Sequence, residues 1–123
     1  MKRIVLTLAL LTGCHAPAPD RCVEAYADLS FNERYECAQR KHFNAWDGQH
    51  WQAVDALKSR LNDPDSLQVE ATKHGLNDDS EDKQYYRVVM KFRAKNGFGG
   101  YVTSYAGASC DIKTGRVLDM QID

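Results

Sequence analysis

Cysteines Cys14, Cys22, Cys37 and Cys110 and histidines His15, His42, His50 and His74 are the side chains of this 123-residue chain with the most chemical scope. Thiols and imidazoles bind metals, but a structural metal centre wants closely spaced ligands. Neither Cys-x-x-Cys nor H-E-x-x-H occurs here. A catalytic thiol needs a base to activate it, and no histidine is near Cys110 in sequence. Ser109-Cys110-Asp111 lacks the G-x-S-x-G frame of a nucleophile elbow. The acidic run Asn77 to Asp82 lacks the glycine and glutamate spacing of a calcium loop and reads as solvated. The expectation is no catalytic residue, no metal site and no cofactor. What remains for the cysteines is covalent: crosslinking, or modification.

Modification is pointed to at Cys14. Lys2 and Arg3 precede the apolar run Ile4 to Leu11, a charged segment followed by a short hydrophobic one, which is the pattern of a secretory signal. The run is far below the roughly 20 residues needed to span a bilayer as a helix. Leu11-Thr12-Gly13-Cys14 resembles the lipobox of bacterial lipoproteins. That resemblance implies cleavage before Cys14 and a covalent lipid on it, palmitate included, as the only attached group. It also implies the outer membrane, because His15 stands where inner-membrane lipoproteins carry Asp. Several acyl chains anchor stably where a single one holds only marginally. The expected organisation is residues 1–13 as signal peptide, 14–21 as lipidated cysteine and Pro-rich tether, and 22–123 as a single domain facing the periplasm.

An exported address permits disulfides. The remaining three cysteines allow three single pairings. Cys22–Cys37 is favoured, and it would close a loop worth about 3 kcal/mol in the chain-entropy account. Cys110 is then a buried thiol or a crosslinking handle. Without Lys2 and Arg3, acidic residues outnumber basic ones by three. A mildly acidic domain is a poor partner for nucleic acid.

The elements that must carry these residues follow from pattern. Ser30 and Glu33 fit a capping box, opening a helix from about Phe31 to Asn44. Within one straight helix the positions of Cys22 and Cys37 would stand about 22 Å apart, so the bridge requires a reversal near Asp28 to Ser30. Asp47-Gly48 is read as the cap of a second helix running to about Asn62, with His50, Val54, Leu57 and Leu61 at helical spacing. Asp63-Pro64 ends it. Beyond Ser66 the period becomes two. Leu67, Val69 and Ala71 alternate with polar residues. Tyr86, Val88, Met90, Phe92 and Ala94 share one face, as do Val102, Ala106, Ala108 and Cys110, and then Leu118, Met120 and Ile122. The class is α+β: N-terminal helices packed on a four-stranded antiparallel meander.

If the helices cover the Tyr86–Phe92 face, then Tyr85, Arg87, Lys91 and Arg93 look outward. Tyr and Arg are enriched at protein contacts, so these four, with Phe98 at the tip of the glycine-rich turn Asn96 to Gly100, form a candidate partner surface. The competing readings are a basic row that merely solubilises the face and a Phe98 that packs back on the sheet. The glycine turn precedes a strand, not a helix, which argues against a phosphate cradle.

Two segments carry a further resemblance. Leu61-Asn62-Asp63-Pro64-Asp65-Ser66 resembles an L-K-D-P-x-S segment, and Lys95-Asn96-Gly97-Phe98-Gly99-Gly100-Tyr101 a K-N-x-F-G-G-Y segment, of a group of small bacterial and phage-encoded lipoproteins. Order and spacing agree between Val54 and Ile122, and Asn62 replaces the usual Lys. The group has no assigned activity, so the resemblance implies a shared module and no catalytic residues. The expected function is a non-catalytic, membrane-anchored module that binds another envelope protein. The alternatives are a phage or mobile-element exclusion or immunity lipoprotein, and a small periplasmic enzyme acting on peptidoglycan or in redox chemistry.

Overall fold

A computed structural model describes residues 20–123. The expected signal peptide and the lipidation at Cys14 lie outside the described residues. The elements are α1 (Arg21–Glu24), a 3-10 turn (Tyr26–Asp28), α2 (Phe31–His42), α3 (Trp51–Lys58), a second 3-10 turn (Pro64–Ser66), β1 (Gln68–Gly75), α4 (Ser80–Lys83), β2 (Tyr85–Lys95), β3 (Tyr101–Asp111) and β4 (Val117–Ile122). The sheet order is β1-β2-β3-β4, all antiparallel. This is the α+β meander expected from the pattern.

The capping box forms as read. Ser30 Oγ accepts from the Glu33 amide at 3.2 Å, and Glu33 Oε1 accepts from the Ser30 amide at 2.9 Å. The helix stops at His42, short of Asn44, because Phe43 is extended and bridges to His50. That bridge also moves the start of α3. Its cap is His50, whose ring accepts from the Ala53 amide at 3.1 Å, and the Asp47-Gly48 pair belongs to the loop before it. Cys22 and Cys37 are bonded, with Cα atoms 5.8 Å apart. The reversal that allows this is the Tyr26–Asp28 turn, clasped by Arg34, whose guanidinium donates to the Tyr26 and Ala27 carbonyls.

The core lies between the helices and one sheet face. Ala53 and Leu57 of α3 pack with Tyr86, Val88, Met90, Phe92, Ala106, Ala108 and Cys110. The two alanines of β3 are the small residues that let a helix approach the sheet closely. Two bulges depart from simple alternation. One falls between Val69 and Ala71, so Val69 opposes Phe92 on the core face while Ala71 opposes Lys91 on the other. Thr72 and His74 thereby turn toward the helices. The second falls between Ser109 and Cys110 in the pairing with β4. Val117 opposes Cys110 and joins the core margin in place of Leu118, which is half exposed. A bulge reverses the facing of every residue beyond it, which is why strict alternation misplaces Ala71 and Leu118. Val102 has the expected facing but lies near the open end of the sheet and is also half exposed.

Candidate functional site

The second face of the sheet is uncovered. Along β2, Val89, Lys91 and Lys95 are exposed and Arg93 is half-buried. Across from them on β3 stand Tyr105, opposite Lys91, and Tyr101, opposite Lys95. Ala71 and Lys73 extend the face onto β1, opposite Lys91 and Val89. Ala71, Lys73, Val89, Lys91 and Tyr105 line a shallow hollow of about 290 Å³. Its floor is apolar and its rim is basic. The Arg93 guanidinium lies 4.9 Å from the Tyr101 ring centroid and Lys95 Nζ 5.8 Å from it. Such stacking holds the cations in place without neutralising them. Lys73 and Lys91 have no ion-pair partner among the described residues.

The expected partner surface is only partly assembled. Lys91 and Arg93 are on the open face. Tyr85 is not: it is buried, and its hydroxyl donates to Asn77 Oδ1 at 2.7 Å. The loop before β2 folds over it, held by Ser80, which accepts from the Asn77 amide and donates to the Asn77 side chain. The acidic run is thus a lid on Tyr85 as well as a solvated surface. Arg87 is half-buried and already engaged. It lies over Gly107, donates to Ser109 Oγ at 2.8 Å and pairs with Asp119 at 3.8 Å. Phe98 stands fully out, 99% exposed, because Asn96 Oδ1 takes the Phe98 and Gly100 amides and shapes the turn without using the ring. Those two amides are therefore occupied, which removes them from any anion cradle.

Pattern reading treated the histidines separately, yet three of them converge. His42 ends α2, His50 caps α3, His74 is on β1, and the bulge before Thr72 puts His74 on the helix side of the sheet, where it is still exposed. Tyr86 sits between the first two. Its hydroxyl is 2.8 Å from His42 Nδ1 and 2.7 Å from His50 Nε2. The proton positions follow from the chain of donors. His50 Nδ1 accepts from Ala53, so a neutral ring carries its proton on Nε2 and donates it to Tyr86. Tyr86 then donates to His42 Nδ1, and a neutral His42 carries its proton on Nε2. Tyr35 bonds His74 Nδ1, and Phe43 packs between the His50 and His74 rings at 5.0 and 4.7 Å.

Burial dominates the protonation of this cluster. It holds His50 down to about 4, reinforced by the neighbouring His42. It lowers His42 and His74 and raises the Tyr86 and Tyr35 phenols. The neutral His42 and His50 rings and the Tyr86 phenol satisfy one another as a buried polar triad, and the Tyr35–His74 pair lies beside it at the exposed margin. No local pattern in the sequence announces it, since its members lie on four elements. Cys110, opposite Tyr86, is fully buried, and burial pushes its thiol up to about 12. A protonated, enclosed thiol is a weak nucleophile.

The two segments that carry the lipoprotein resemblance touch. Ser66 Oγ accepts from the Lys95 amide at 2.8 Å and donates to the Asp63 carbonyl at 2.7 Å. Gly97 faces the Asn62 side chain, 4.0 Å from where its Cβ would be. Both segments therefore have a structural use at one corner of the sheet.

Among the described residues, no group of three or more His, Cys, Asp or Glu side chains is arranged to hold a metal ion, and no helix is long and apolar enough to cross a membrane. No protein-family model matches the chain, and no significant match is found among curated proteins or solved structures.

Proposed function

We propose that this chain is a non-catalytic lipoprotein, anchored through Cys14 to the outer membrane, whose uncovered sheet face binds an acidic surface on another envelope protein. The observation that carries this reading is the face itself: Val89, Tyr101 and Tyr105 set among Lys73, Lys91, Arg93 and Lys95. Tyrosines among cations are the composition of protein contacts, and a row of one sign selects a partner of the other. The anchor is supported by the signal pattern and the Leu11-Thr12-Gly13-Cys14 segment. The resemblance to small lipoproteins of bacteria and phages fits the same reading.

The test is crosslinking in cells that express the tagged full chain, with mass spectrometry of what is captured. A Lys91→Glu, Arg93→Glu variant runs beside it, its fold checked by circular dichroism. One dominant envelope partner, reduced at least tenfold by the double variant, is the expected result. The same partner captured at undiminished yield would remove this face from the reading.

A further inference from the structure

Both tryptophans of the chain lie outside the core. Trp51 is half exposed on the first turn of α3, and Trp46 is 96% exposed. An indole is a large apolar group, and burying a large apolar side chain is favourable. Trp46 forgoes this in a loop that is well ordered. The Phe43–His50 bridge closes its base. Asn44 exchanges backbone bonds with Gln49 and Gly48, at 2.8 and 2.9 Å. Asn44 Oδ1 accepts from the Trp46 amide at 2.8 Å, and Asp47 Oδ1 accepts from the Gln49 amide at 3.0 Å. Gly48 supplies the positive φ, +72°, that the turn needs. The loop is built to hold the indole in water.

Its position is tied to where the chain enters the domain. Asp20 caps α1 and lies 3.9 Å from Arg40, in the last turn of α2. That last turn leads directly through Phe43 into the Trp46 loop. Cys14 precedes Asp20 by six residues, which reach at most about 20 Å fully extended. Six residues also separate Arg40 from Trp46, two of them helical, so the indole is held within a comparable distance of the entry point. Arg40, Lys41 and, on the β3–β4 turn, Lys113 give this end its cations, with Asp20, Glu36, Asp47 and Asp111 as its acids. Phe98, the other fully exposed ring, is at the opposite end of the sheet. His42 and His50 bond Tyr86 at the start of β2, whereas Phe98 follows Lys95 at the end of that strand, and the nine steps from Tyr86 to Lys95 span about 30 Å. The two rings therefore stand near opposite ends of β2.

From these observations we infer that the Trp46 loop seats in the lipid interface beside the anchor, setting the domain upright with Phe98 farthest from the bilayer. The occupant is a lipid headgroup layer, where tryptophan's amphipathic ring is favoured. The inference rests on the reading of Cys14 as lipidated. It turns the open sheet face sideways, toward neighbouring proteins in the same membrane.

The test uses the lipidated full chain carrying Trp51→Phe, so that Trp46 is its only indole. It is reconstituted into vesicles of phosphatidylethanolamine and phosphatidylglycerol, and its melting curve is compared with the native chain. The expected result is Trp46 emission shifted to shorter wavelength, protected from iodide and quenched by lipids brominated on the acyl chain. The native chain carrying Trp46→Ala should lose the lipid-dependent shift. Emission matching the Cys14→Ser chain free in buffer, with full iodide access, would overturn the inference while leaving the anchor intact. Protection that arises only when solubilised envelope proteins are added would overturn it in favour of a protein occupant. Mass spectrometry of the Cys14 peptide reads the anchor separately, and an unmodified Cys14 would bring down the anchoring reading and this inference together.

Discussion

Ser66 and Lys95 clasp the start of the sheet to the end of its longest hairpin. One hydroxyl accepts the Lys95 amide and donates to the Asp63 carbonyl, and Ser66 is buried while it does so. Two segments separated by β1 and nearly all of β2 are thereby held at one corner. The serine of the first segment is selected by this geometry, whereas Lys95 contributes only its backbone amide.

Ser66→Ala should remove both bonds and leave the Lys95 amide without its partner, costing about 1–3 kcal/mol. Urea unfolding reads this as a lower midpoint at unchanged slope. A midpoint equal to that of the native chain would mean that water replaces the hydroxyl at no cost.

The histidine cluster makes stability depend on pH. The folded rings titrate below the ordinary histidine value of 6.5, His50 near 4. Between those values the unfolded chain binds more protons than the folded one, so acid favours unfolding. The contribution is complete above about 6.5 and is lost as pH falls toward about 4. Thermal melts at steps across that window should show Tm dropping with acid. A flat Tm there would show that the rings protonate in place.

Tyr86 holds the network together. Tyr86→Phe leaves His50 Nε2–H and His42 Nδ1 unpaired in the core, and a cost of about 2–4 kcal/mol is expected. Nitrogen-15 shifts of the native protein should place the proton of both His42 and His50 on Nε2. A proton on Nδ1 of either ring contradicts the donor chain.

Gly115 and Gly48 both have positive φ, +76° and +72°, but only one is crowded. A Cβ at Gly115 would lie 2.7 Å from the His42 ring, whereas nothing stands within 4 Å at Gly48. Gly48→Ala should cost about 1–2 kcal/mol for backbone strain alone. Gly115→Ala adds overpacking and should reach about 2–5 kcal/mol. Equal losses in paired denaturation curves would mean that the turn shifts away from His42.

Replacing Cys22 and Cys37 together by serine should cost about 3 kcal/mol. In the native chain freed of its N-terminal segment, a thiol reagent should find Cys110 unreactive until denaturant is added. Labelling at native rates would mean that the core opens locally around β3.

Much of the scaffold was legible because its signals are local. A capping box involves Ser30 and Glu33, three residues apart. The α+β order follows from a change of period near Ser66. The Cys22–Cys37 bridge is the pairing favoured among three, and the structure forms it. The outward placement of Lys91 and Arg93 follows from their alternation with buried neighbours. Tyr85 shares that alternation and is nonetheless covered, because the Asn77–Ser80 loop folds back on it.

The amino-acid sequence by itself thus determined the two longer helices, the four strands, their order and the outward placement of Lys91 and Arg93. Tertiary structure decided the facing of Ala71, His74 and Leu118, the burial of Tyr85, and the meeting of His42, His50 and Tyr86. The physical reason is range. Capping and alternation are settled by neighbours along the chain. A bulge is settled by which register lets both sheet faces meet their partners. A buried hydroxyl is satisfied only when helices far away in sequence bring a donor and an acceptor to it.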